Sequence, residues 1–149
     1  KRQLRGFNKK LEDILVRNQD MESLLRHLNG RYSIACMVNL RTDSQRAIMV
    51  PDYFQKMLDA HDGSFKSALH DYCERLVAPF CKDSFSLLMD YDFIHARVES
   101  VGVLQYGYTR NDGEKFLLTI FADRRSKDET MWVFSKDDLP QVELELFES

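Results

Sequence analysis

The chain has few of the residues that carry chemistry in short motifs. Its six glycines are scattered singly among 149 residues, so no glycine-rich loop cradles a phosphate and no G-x-S-x-G elbow presents a serine nucleophile. H-E-x-x-H is also missing. Carboxylates abound, yet Asp123, Asp128 and Glu129 fall in a polar stretch that reads as charged surface, and no catalytic residue is nominated. Cys36, Cys73 and Cys81 form an odd set without C-x-x-C spacing, which fits reduced thiols of a cytoplasmic protein rather than a disulfide framework. His70 and Cys73 share a helical face at i, i+3, with Cys81 a short way on. Zinc needs three or four ligands and a supporting shell, and the chain offers no second cluster, so no metal is expected. No run approaches the roughly 18 apolar residues of a membrane span. The start, KRQLRGFNKK, lacks the apolar stretch of a signal peptide. Without an initiator Met, the sequence reads as a piece of a longer protein with no membrane contact of its own. A net charge of −3 gives no general attraction to phosphate backbones. The basic start, Lys1, Arg2, Arg5, Lys9 and Lys10, reads as a solvated helix face, and the strand aromatics lack the Lys/Arg stripe of RNA platforms, so no nucleic acid is expected.

Apolar residues, by contrast, are ample. At 44% hydrophobic and 11% aromatic the chain is globular, and its length suffices for one domain that needs neither disulfide nor metal. In the first thirty residues Leu4, Phe7, Leu11, Ile14, Asn18, Met21, Leu25 and Leu28 alternate in steps of three and four. Such a heptad seam keeps one stripe facing a partner helix over about 37 Å. Asn18 is its single polar member. At an a-type position it can pair with its symmetry mate and favour a parallel dimer, in which Arg17 at g of one chain reaches Glu22 at e of the other. Leu15 and Leu24 widen the stripe, so the helix could equally pack on its own domain.

Asn29-Gly30 closes this helix. Ser33 to Leu40 then alternates, placing Ile34, Cys36, Val38 and Leu40 on one face, and Thr42-Asp43-Ser44 turns the chain into a second strand from Gln45 to Val50. Pro51-Asp52 opens a short helix with Phe54, Met57 and Leu58 inward, ended by Asp62-Gly63. Ser64 caps the next, which carries Phe65, Ala68, Leu69, Tyr72, Cys73, Leu76 and Val77 and stops before Pro79. Asp83 is the expected cap of a third helix with Phe85, Leu88 and Met89, and Asp90 or Asp92 of a fourth with Phe93, Ile94 and Val98. Strands follow from Val101 to Arg110, Glu114 to Asp123 and Thr130 to Ser135. Asn111-Asp112-Gly113 joins the first two, and Arg124 to Glu129 reads as a longer polar loop. Two hairpin groups around a helical insert predict an α+β fold: one five-stranded antiparallel sheet with helices on one face and a cover on the other. That cover could be the leading helix or a second subunit.

The segment Tyr106 to Leu118, YGYTRNDGEKFLL, in which a strand ends in an Arg-x-Asp-Gly turn and the next returns beneath it, resembles the PAS sensor domains. It resembles in particular the divergent PAS modules that precede GGDEF or histidine-kinase output domains in bacterial signalling proteins, including two-component systems. The resemblance runs from about Tyr32 to Ser135. It implies a five-stranded antiparallel sheet, with helices between strands 2 and 3, cupping a pocket. It further implies a homodimer that passes a signal through flanking helices to a covalently linked output domain. On this reading 1–29 is an N-terminal coiled-coil signalling or dimerisation helix, 30–136 the PAS-like domain, and 137–149 a tail or connector with Val142, Leu144 and Leu146 alternating.

The implied pocket for a small-molecule ligand would be lined by Cys36, Val38, Tyr72, Tyr106, Tyr108 and Trp132, unless these side chains simply fill the core. No cofactor is assigned. The surroundings of Cys73, Asp71 to Leu76, do not match the flavin-type Asn-Cys-Arg-Phe-Leu-Gln segment. His70 and His95, which could be nominated for haem, each adjoin a polar helix face and read as solvated or structural. Two rival readings stay open: a ligand-free interaction or dimerisation scaffold, and a small α+β enzyme without short motifs.

Overall fold

The computed structural model describes residues 32–123 and 126–136. The heptad positions from Leu4 to Leu28 and the connector 137–149 lie outside the described residues. Alternation of Ile34, Cys36 and Val38 with Ala35 and Met37 becomes strand β1, Ile34–Asn39. At its end the Asn39 side chain accepts from the amides of Arg41 and Thr42 at 2.9 and 3.0 Å. Asp43 takes a left-handed conformation, φ 63°, and the chain returns as β2, Gln45–Met49.

Pro51 precedes α1, Asp52–Ala60, which buries Phe54, Met57 and Leu58. The left-handed pair Asp62 and Gly63 ends it, and Ser64 caps α2, Phe65–Leu76, by accepting from the Ser67 amide at 3.2 Å. Short pieces follow: a 3-10 turn Pro79–Cys81, α3 Lys82–Phe85 and a second 3-10 turn Ser86–Met89. Asp83 is not the cap expected of it. Cys81 holds the N-cap place without a side-chain bond, and Asp83 lies in the first turn of α3, where a carboxylate still faces the positive end of the helix. Asp90 caps α4, Tyr91–Val101, through the amides of Asp92 and Phe93, and Gly102 at φ 93° closes it.

The remaining strands are β3 Val103–Thr109, β4 Lys115–Asp123 and β5 Ser126–Lys136. Two boundaries differ from the sequence expectation. Val101 ends α4 rather than starting β3, because the left-handed Gly102 separates the two. Residues 126–129, expected in a loop, are strand, with Glu129 opposite Asn39 and Thr130 opposite Ala122. Ladder hydrogen bonds use the backbone alone, so pairing runs on past the apolar residues that mark a strand in sequence.

All strands pair antiparallel in the order β2-β1-β5-β4-β3. The first and last strands therefore lie side by side near the middle, registered from Ile34 opposite Phe134 to Asn39 opposite Glu129. The fold is α+β, with its helices against one face. There Ile34, Cys36, Val38, Trp132, Phe134, Leu118 and Ile120 meet Phe54, Phe65, Leu69, Tyr72, Phe85 and Ile94 in one cluster. On the opposite face Ala35, Val103, Phe121, Met131 and Val133 form a second cluster of strand residues.

One buried polar pair ties the central strands to this core. Thr130 Oγ1 donates to the Val38 carbonyl and accepts from Trp132 Nε1, both at 2.9 Å. Thr130→Val keeps the shape but leaves the indole N–H buried without a partner, an expected loss of about 1–3 kcal/mol in chemical denaturation. A change below about 0.3 kcal/mol would show that the indole finds another acceptor.

Candidate functional site

Two places in the described chain gather polar groups. The first is an aromatic enclosure over β3 and β4. Tyr72 from α2 and Tyr108 from β3 share a hydrogen bond of 2.5 Å between their hydroxyls. Arg110, just past β3, donates from Nε to the Tyr72 hydroxyl at 3.1 Å and from Nη2 to Tyr53 at 2.7 Å. Its guanidinium lies 4.0 Å from the Phe116 ring centre and 5.3 Å from that of Tyr72. Cation–ring contacts of this kind contribute about 0.5–2 kcal/mol. Tyr106 stacks on Tyr108 at 6.1 Å and shares a hydrogen bond with Ser84 on α3.

The six residues nominated for a pocket are placed as follows. Cys36, Val38, Tyr72 and Trp132 are fully buried, Tyr108 nearly so, and Tyr106 is half-buried. They belong to one packed core: Trp132 meets Phe65 edge-on at 5.0 Å, and Tyr72 stacks with Phe85 at 5.9 Å. They meet in one layer because alternate strand residues and the inner stripe of α2 converge there.

The second place has no counterpart in the sequence reading. Asp43, expected as a turn residue, is a hub: its Oδ1 accepts from the Lys66 amide at 3.0 Å and from the Tyr91 hydroxyl, and its Oδ2 from the Ser64 hydroxyl. The β1–β2 turn is thereby fastened to the first turns of α2 and α4. A cleft of about 290 Å3 opens beside it, lined by residues 40–43, Lys66 and residues 90–92. Three carboxylates, Asp43, Asp90 and Asp92, line it with the cations Arg41 and Lys66. Lys66 Nζ stands 4.4 Å over the Tyr91 ring. With Asp43 committed to hydrogen bonds and Asp90 Oδ1 to the α4 cap, the cleft can hold a small polar or charged group. Nothing in Thr42-Asp43-Ser44 reveals which donors will reach it from more than twenty residues away.

Burial dominates the proton affinities here. It pushes the Cys36 thiol up from 9.0 to about 12 and raises the Tyr108 phenol, which the Tyr72 hydroxyl raises further. Burial also raises Tyr72 against the opposing pull of Arg110, and raises Tyr91 together with its bond to Asp43. Such groups stay neutral and hold position rather than exchange protons. His61 pairs with Asp71 at 3.3 Å, and His95 with Glu99 at 3.4 Å. Among the described residues no three His, Cys, Asp or Glu side chains are grouped to hold a metal, and no helix is long and apolar enough to cross a membrane. His70 is exposed while Cys73 and Cys81 are buried. No family model, curated protein or solved structure matches the chain.

Two outcomes are expected from these sites. Asp43→Asn weakens the charge-assisted bonds of the hub and costs about 1.5–3 kcal/mol, measured by urea unfolding; an unchanged midpoint would mean that the turn is not fastened there. Raised folded-state values bind protons more tightly in the native chain, so their stabilisation is complete below the unfolded values of 9.0 for Cys36 and 10.0 for Tyr72 and Tyr108. It declines as pH rises above these values, where the unfolded chain ionises first. Absorbance at about 295 nm should then report phenolate from Tyr72, Tyr91 and Tyr108 only together with unfolding. Independent titration of all tyrosines in the folded chain would contradict their burial.

Proposed function

We propose that the chain is a PAS-like regulatory module of a bacterial signal-transduction protein, cytoplasmic and dimeric through its leading heptad segment. It would pass a ligand or partner signal to a linked output domain of the GGDEF or histidine-kinase kind. One observation carries this reading: the described chain begins and ends on neighbouring central strands. Ser33 donates to the Phe134 carbonyl from its amide at 2.7 Å and from its hydroxyl at 3.2 Å. Segments 1–31 and 137–149 therefore join the sheet at one end. A shift of the helical layer against Cys36, Trp132 and Phe134 would move both attachments together. Signal transfer is then a population shift between two arrangements of the flanks.

The mutual packing of the six pocket candidates favours a second reading, a scaffold that dimerises and binds partner protein without a small ligand. Native mass spectrometry of the purified chain separates the two, since a sensor with a resident ligand carries extra mass that denaturation releases.

The dimer is tested by charge exchange. In a parallel seam Glu22→Arg brings a second guanidinium up to Arg17 of the partner subunit and weakens association several-fold, and adding Arg17→Glu restores it. Sedimentation equilibrium of the 149-residue chain reads both. A monomer at every concentration, or a dimer indifferent to the exchange, would exclude the parallel seam.

A further inference from the structure

We propose that Arg110 anchors a binding site for the carboxylate of a small monoanion, at the corner where Tyr53 of α1 meets the end of β3; the site gives a ligand class to the sensing reading above and rests on that reading for what binding does. Arg110 is half-buried, and among the described residues no carboxylate lies within ion-pair distance of it. Arg75, whose side chain is 71% exposed, nevertheless has Asp71 at 2.7 Å. A cation that gives up part of its water needs an anion more than one that keeps it. Around Arg110 the protein supplies only ring faces and neutral hydroxyls. The ring centres of Phe116, Tyr72 and Tyr53 lie 4.0, 5.3 and 5.7 Å from its Cζ. The acids of the adjoining turn are engaged elsewhere: Asp112 accepts from the Glu114 amide at 3.0 Å, and Glu114 pairs with Lys136 at 3.3 Å.

The geometry selects the anion. Nε donates inward to the buried Tyr72, and Nη2 reaches Tyr53, which is 36% exposed, so the Nη edge of the guanidinium is the one turned to the surface. A guanidinium carries five N–H donors. The phenols take one from Nε and one from Nη2, and Nη1 has no acceptor among the described residues. Nη1 and Nη2 side by side form the planar fork that matches two carboxylate oxygens. The Tyr53 hydroxyl, which accepts from Nη2, keeps its own proton to donate to one of those oxygens. The rings and phenols already fix the guanidinium plane, so little freedom is lost on binding. One unbalanced positive charge fits one carboxylate, whereas a phosphate dianion leaves a surplus negative charge against the π faces of the rings.

Tyr53 and Arg110 share a single hydrogen bond. A carboxylate that takes protons from both adds a second link between α1 and the end of β3. On the sensing reading this is the contact by which a ligand favours one arrangement of the helical layer over the sheet.

Titration of the isotope-labelled full chain with benzoate, followed by the side-chain Nε–H signal of Arg110 in NMR, tests the site. Benzoate should shift that signal saturably, with a dissociation constant of the order of a millimolar. The neutral isostere benzamide should leave it in place, and inorganic phosphate should bind at least about tenfold more weakly. Tyr53→Phe keeps the ring at an exposed position and should weaken benzoate about threefold or more. Arg110→Lys loses the fork and should weaken it about tenfold or more. A signal unmoved by about 50 mM benzoate in the folded chain would overturn the site, as would an equal response to benzamide or a Tyr53→Phe chain that binds benzoate unchanged. Phosphate binding as tight as benzoate would overturn the carboxylate assignment. Saturable binding that alters neither the dimer mass nor amide exchange where β1 meets β5 would uphold the site and overturn the sensing reading. A dimer that responds to some other ligand while Arg110 stays silent would overturn the site and keep that reading.

Discussion

The pairing of β1 with β5 is the constraint on which the rest depends. It joins residues about a hundred positions apart, Ile34 to Phe134 and Ala35 to Val133, and turns two separate hairpin groups into one sheet. Closing so long a loop is entropically costly and is repaid only when many contacts form together. The repayment is visible on both faces. Cys36 and Trp132 anchor the helical layer on one side, while Ala35, Met131 and Val133 belong to the strand cluster on the other. Because these strands are central, neither face can be loosened without disturbing the join between the hairpins.

Much of this architecture was legible in the residues. Two-residue alternation set β1, β3 and β4, the Asp62-Gly63 and Asn111-Asp112-Gly113 turns fell where left-handed glycines occur, and Ser64 and Asp90 capped the helices expected of them. These signals are local, and local geometry is enough to read them. The start of β5 was missed because Lys127, Asp128 and Glu129 look like a loop by polarity. The ladder that holds that stretch belongs to backbone groups with no signature in side-chain type. Helix α3 was misplaced by one cap because a single turn of helix is set by packing of Phe85 and Cys81 rather than by its own sequence.

The site residues divide along the same line. Tyr72, Tyr108, Cys36 and Trp132 could be brought together from periodicity alone, since each lies on the inner face of its own element. Periodicity gave no hint of whether the space between them is open, because that depends on how Phe54, Phe65 and Phe85 fill it. The Asp43 hub was illegible for another reason. Its three donors come from residues 64, 66 and 91, and only the assembled fold brings those to one carboxylate.

The Arg110 enclosure has a consequence of its own. Among the described residues its nitrogens meet the hydroxyls of Tyr53 and Tyr72, and its flat face lies on Phe116. An arginine held by a carboxylate loses its partner when acid protonates that carboxylate. Phenols and ring faces have no proton to gain, and guanidinium keeps its charge throughout. The junction of α1, α2 and β3 is therefore clasped by a contact that acidification does not touch, so an acid-weakened form of this domain would come apart first at the corners that rest on carboxylates, with this one still closed.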